Sequence, residues 1–145
     1  MLKKLKILVD YFKLLFIITV INFQANGQYL VSCNFLNSSS STILSGATGL
    51  TLDYDVDMYK MTYNTVNTDS LPVIATGAFM VPKNTSCNDF PMAVYNHGTT
   101  LRKNDVPSYN NPESIIGKVF SAGGYVVCMP HHIGMGDTQG CHACA

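Results

Sequence analysis

"FPMAVYNHGTT", residues 90–100, and "NPESIIGKVFSAGGYVVCMP", residues 111–130, decide the fold. The first begins as a run of apolar residues around Met92–Tyr95 and ends abruptly in His97, Gly98, Thr99 and Thr100. Apolar on both faces, it is expected to be a strand buried in the middle of a sheet. The second opens on helix-start signals: Asn111 as N-cap, Pro112 at the first helical position and Glu113 at the positive end. Ile115, Ile116, Val119 and Phe120 then recur at the spacing of one buried helical face, and Gly123-Gly124 can end the helix. The apolar run "YVVCMP" follows at once as another strand. Strand, helix and strand in this order are how adjacent parallel strands are joined.

Upstream the pattern is antiparallel. In "GATGLTLDYDVDMYKMTYNTVNT", Leu52, Tyr54, Val56 and Met58 fall on one side, and Asp53, Asp55 and Asp57 on the other. Period two predicts a strand with one solvated face. The three aspartates also match the start of a calcium-binding loop, but Met58 and Tyr59 stand where that loop continues, without its glycine or closing glutamate. A second strand is predicted over Val73–Val81, ended by Pro82 and preceded by a turn at Asp69-Ser70. "NSSSS", ending at Ser41, reads as a polar loop. The fold class is therefore α/β: a mixed sheet with an antiparallel start followed by a parallel βαβ unit.

The first 27 residues have a different layout. Lys3, Lys4, Lys6 and Lys13 lead into an apolar run from Leu14 to Phe23, and Ala25-Asn26-Gly27 offers small residues before Gln28. That is the pattern of a cleaved secretory signal peptide, and the apolar run is too short for a stable membrane span. The expected organisation is signal peptide 1–27, an N-terminal segment 28–50 and a domain portion 51–145, exported to the periplasm or beyond the cell. Five Lys and Arg against eight acids then leave the mature chain at −3, with no basic cluster beyond Arg102-Lys103. This argues against nucleic acid as a partner.

Five cysteines in an exported chain leave at least one unpaired within a monomer. Cys128 reads as a small buried hydrophobe, while Cys33 and Cys87 are the candidates for a bridge. His131 and His132 with Cys141 and Cys144 have the softness of a zinc set. Adjacent extended histidines point to opposite sides, however, so neither metal nor cofactor is expected. "GMGDTQG" departs from a dinucleotide fingerprint at Gln139, and no helix follows it. The nucleophile elbow G-x-S-x-G does not occur: "FSAGG" has Val119 in the place of the first glycine, and Ser121 reads as part of a helix end.

Both polar stretches sit at C-terminal strand ends, where open α/β sheets place their ligands. His97-Gly98-Thr99-Thr100 offers backbone N–H donors suited to developing negative charge, and Gly134, Gly136 and Asp137 a tight loop beside them. "FPMAVYNHGTT", "SIIGKVFSAGGYVVCMP" and "IGMGDTQG" together resemble the N-terminal part of secreted α/β-hydrolases of the secretory lipase and esterase kind, over roughly residues 51–140. The resemblance implies serine hydrolysis of an ester or related acyl bond in a small, lipid-like substrate. It makes the backbone N–H groups of Thr99 and Gly98 the oxyanion donors, and gives His97, Thr100, Gly134, Gly136 and Asp137 site-shaping roles. His97 is not the catalytic histidine, which follows the nucleophile in this fold. His131 and His132 stand where such enzymes carry an acidic and an aromatic residue, and no triad is expected within these 145 residues. Two other readings use the same residues: an exported binding or structural domain without catalysis, and a zinc module built on Cys141 and Cys144.

Overall fold

The computed structural model describes residues 29–83, 86 and 89–138. The signal-peptide reading, Cys87 and the cysteine pair at 141 and 144 lie outside them. Strand β1 (Leu30–Ser39) leads into helix α1 (Ser41–Thr48), then β2 (Asp55–Val66), β3 (Pro72–Lys83) and β4 (Met92–Val94). A 3-10 turn (Pro107–Tyr109), helix α2 (Ser114–Ala122) and β5 (Val126–Pro130) complete the order. The strands form one sheet in the order β1-β2-β3-β5-β4. All neighbours are antiparallel except β4 and β5, which pair in parallel. This is the mixed sheet, antiparallel first and βαβ after, that the sequence pattern specifies.

The polar segment before residue 50 is structured rather than a loop. Asn37–Ser39 close β1, and the Ser40 hydroxyl caps α1 by accepting the Thr42 N–H at 3.2 Å. Gly49, at φ 73°, ends the helix in the left-handed conformation. The aspartates of β2 hold this segment. Asp55 accepts from the Ser41 N–H at 2.9 Å, while Asp57 pairs with the Ser38 hydroxyl and with Lys83. Serines that look solvent-bound in sequence thus satisfy strand and helix ends across the sheet.

Val56 and Met58 of β2 are fully buried, as their alternation requires, with Ala78 and Met80 of β3, Val127 and Met129 of β5, and Leu44 and Ala122 from the helices. Pro82 does not end β3; it pairs with Val56, and the strand runs to Lys83. Two burial expectations are corrected. Strand β4 is three residues long and lies at the sheet's edge among the described residues, leaving Met92 71% and Val94 65% exposed. Helix α2 buries not its large apolar side chains but Ser114, Gly117, Ser121 and Ala122.

The second correction has a steric cause. A Cβ on Gly117 would lie 2.6 Å from the Met129 sulfur and 2.7 Å from that of Met80. The helix therefore rests on the sheet through its small residues, and the flexible methionines fill the seam. Ile115 (39% exposed) and Phe120 (49%) are turned outward by this packing. Ser121 is fully buried in the seam as part of α2, which agrees with its reading as a helix residue rather than an elbow serine.

An exposed apolar edge strand is a template for pairing with another chain. The variant Met92→Lys is expected to raise the monomeric fraction in sedimentation at fixed concentration; unchanged self-association would show that β4 is not the sticking edge.

Candidate functional site

The parallel ladder matches Val94 with Cys128, and the Tyr95 N–H closes it on the Cys128 carbonyl at 2.9 Å. Three residues beyond this pair on each strand stand His97 and His131. Their rings meet edge to face at 5.9 Å between centroids, and His132 stacks at a tilt on His97 at 4.5 Å. The two polar stretches are therefore neighbours at one end of the sheet.

Each buried histidine ties two loops. His97 is within 2.9 Å of the Gly98 carbonyl through Nδ1, so Nδ1 carries the proton and Nε2 accepts the His132 N–H at 3.4 Å. The His132 ring returns a contact to the His97 carbonyl at 3.3 Å. His131 accepts the Ser108 N–H on Nε2 at 3.4 Å and donates from Nδ1 to the Thr76 hydroxyl at 3.1 Å. Thr76 continues to Thr138, whose hydroxyl also accepts the Thr76 N–H at 3.0 Å. Burial, reinforced by His97, pushes the His131 imidazole down to about 3, with Asp137 partly opposing and Lys60 and His132 adding to the fall. His131 is thus a neutral structural clamp.

The loop after β5 is shaped by two glycines. Gly134 and Gly136 have φ 85° and 59°, a region that favours glycine. At Gly136 space forbids a side chain as well, since a Cβ would lie 2.7 Å from His131 Nδ1. Its N–H donates to the Lys103 carbonyl at 2.7 Å, binding the loop after β4 to the loop after β5. Asp137 is held by an ion pair with Lys60 and by the Tyr109 hydroxyl at 2.6 Å. These two hydrogen bonds keep its carboxyl below the ordinary aspartate value, and the same bond raises the Tyr109 phenol. Asp137 is a fastened residue, joining β2, the 3-10 turn and the glycine loop.

The stretch after His97 separates into two unlike amides. The Gly98 N–H donates to Glu113 Oε1 at 2.7 Å, and the Tyr95 hydroxyl donates to the same oxygen at 2.8 Å. Thr99 is exposed, and its N–H has no hydrogen-bond acceptor among the described residues. The Thr100 hydroxyl donates to Asp105 at 3.2 Å and accepts the Arg102 N–H at 3.4 Å, fixing the far side of the loop. Gly98 has neither a left-handed φ nor a wall against it: a Cβ would meet only Glu113 Oε1, at an ordinary 3.5 Å.

Sequence reasoning placed His97, Gly98, Thr99, Thr100, Gly134, Gly136 and Asp137 at this end of the sheet. It missed Glu113, Tyr95, Thr76, Ser108, Tyr109, Thr138 and Lys60. Glu113 was legible only as a helix-start charge, and nothing in its neighbours signals a reach back to residue 98. No group of three or more His, Cys, Asp or Glu among the described residues is arranged to hold a metal ion. Cys128 is half-buried with its thiol pushed up by burial, in keeping with a packing role. No described helix is long and apolar enough to cross a membrane.

Neither a family model nor a curated protein matches the chain. Solved structures do. A protein of Legionella pneumophila assigned as a hydrolase superposes with a TM-score of 0.68 at 31% identity, over 76% of this chain and 32% of its own. A variant of the rice cell wall degrading esterase LipA from Xanthomonas oryzae superposes with a TM-score of 0.64 at 23% identity, over 79% of this chain and 31% of its own. The fold is hydrolase-like, and the chain spans about a third of the length of the solved structures it matches.

The neutral clamp gives a pH dependence. Between the ordinary histidine value of 6.5 and about 3, the unfolded chain binds a proton at residue 131 that the folded chain excludes. Stability contributed here is therefore present above 6.5 and lost as pH falls towards 3, by on the order of several kcal/mol at full extent. In urea unfolding at pH 7 and pH 4, His131→Gln is expected to be weaker at pH 7 but flatter with pH. An unchanged slope would contradict the assignment.

Proposed function

We propose that these residues form the oxyanion side of a serine hydrolase acting on an ester or related acyl bond of a small, lipid-like substrate. The observation that carries this reading is the open Thr99 N–H, at the C-terminal end of β4 in a hydrolase-like fold, while the adjacent Gly98 N–H is engaged by Glu113. An oxyanion donor has to be in place before charge develops and must not be satisfied by the protein itself. Thr99 has no acceptor of its own among the described residues and its peptide is held through the Gly98 carbonyl by His97 Nδ1, whereas the Gly98 N–H, expected as a donor beside it, is taken by Glu113. His97, Thr100, Gly134, Gly136 and Asp137 hold the two loops around it. The second donor, the serine, the acid and the catalytic histidine would come from polypeptide outside these 145 residues, and export would follow the signal-like first 27.

The test is a titration of the isotopically labelled chain with methylphosphonate, a tetrahedral anion resembling the reaction's intermediate. The Thr99 amide resonance should shift saturably, and in Thr99→Pro, which removes the N–H, the accompanying shifts of the neighbouring Gly98 and Thr100 amides should vanish while Ala93 and Val127 keep their native shifts. Absence of any Thr99 response would favour the non-catalytic binding domain instead.

The 145-residue chain alone is also expected to turn over no short acyl ester, and Ser121→Ala to behave like the parent. Hydrolysis that disappears in Ser121→Ala would contradict both the burial of Ser121 and the role given to this chain.

A further inference from the structure

We infer that Glu113 is the positioning residue of the strand-end loop, its carboxylate bracing Gly98 so that the next amide, Thr99, is presented to a ligand. This rests on the proposed oxyanion role of Thr99. Glu113 Oε1 accepts both the Gly98 N–H at 2.7 Å and the Tyr95 hydroxyl at 2.8 Å. Hydrogen bonds to an ionised carboxylate are shorter and roughly twice as strong as neutral ones. The brace is anchored at its other end: the Glu113 carbonyl accepts the Ile116 N–H at 3.1 Å, and the Asn111 side chain accepts the Ser114 N–H at 3.1 Å. A rigid helix start is thereby joined to Gly98 in the loop after β4, fifteen residues earlier in the chain.

The chemistry is selective between neighbouring amides. Left unbraced, Gly98 and Thr99 would present two N–H groups in a loop free to rotate. The carboxylate satisfies the first and fixes the peptide plane that leads into Gly98, while His97 Nδ1, on the Gly98 carbonyl at 2.9 Å, holds the next plane, which carries the Thr99 N–H. Tyr95 adds a second donor to the same oxygen and holds the carboxylate on the strand side. The same bond raises the Tyr95 phenol above its ordinary value, with burial and the Glu113 charge adding to it.

The experiment compares the full chain with Glu113→Gln and Glu113→Ala by nuclear magnetic resonance, using methylphosphonate as the probe. In Glu113→Ala, affinity at Thr99 should fall about tenfold, the order expected when a charged hydrogen bond is lost. Glu113→Gln, which keeps an acceptor oxygen, should recover most of it. The Tyr95 phenol should titrate at lower pH in both variants while Tyr109, held by Asp137, does not move. Unchanged Thr99 affinity in Glu113→Ala, or an unmoved Tyr95 titration, would overturn the positioning role while leaving the Thr99 reading intact. No Thr99 response in the parent chain would instead overturn the Thr99 reading, and the positioning role with it.

Discussion

The parallel pairing of Met92–Val94 with Val126–Cys128 is the constraint on which the candidate site depends. Because Val94 stands opposite Cys128, an equal step of three residues along each strand brings His97 and His131 to the same height. A slip of one residue would turn the alternate side chains to the other face of the sheet and separate the histidines. The pairing is only three residues long, so it draws support from both sides. The Val126 N–H bonds the Pro91 carbonyl before it, and the two histidines clamp the loops beyond it.

Above this register the helix sets the depth. Gly117 lets α2 approach Met80 and Met129 closely, and that approach places the helix start where Glu113 reaches Gly98. One packing choice in the core therefore bears on an amide at the surface. The loops are organised on the same plan, with each polar group fastened across elements: Asp137 to Lys60 and Tyr109, Thr76 to Thr138 and His131, Gly136 to Lys103. Beside the engaged Gly98 N–H, the N–H of exposed Thr99 stands without an acceptor among the described residues.

Much of this was legible in sequence because it depends on local pattern. Alternation from Leu52 to Met58 signalled β2, which begins at Asp55, the apolar runs signalled β3 and β5, and Asn111-Pro112 signalled α2, which begins two residues later at Ser114. Burial was misjudged where tertiary packing overrode pattern. Ile115 and Phe120 have helical spacing, yet the small face of α2 is buried because only it allows the close approach at Gly117. Met92–Val94 is apolar but lies at an edge, which no single strand's composition reveals. "NSSSS" reads as a loop because its partners, Asp55 and Asp57, come from the next strand. The site residues at strand ends could be found from glycine, histidine and threonine in sequence; Glu113 and Tyr95 could not, since their role arises only when the crossover brings helix start and strand end together.

Two consecutive backbone amides, Gly98 and Thr99, differ in whether the protein satisfies them, and amide hydrogen exchange of the full chain reads that difference. Gly98, bonded to the Glu113 carboxylate, is expected to exchange slowly for an exposed residue, while Thr99 exchanges near the rate of an unprotected amide. A protected Thr99, or a Gly98 that exchanges as fast as its neighbour, would mean that Glu113 does not distinguish the two amides.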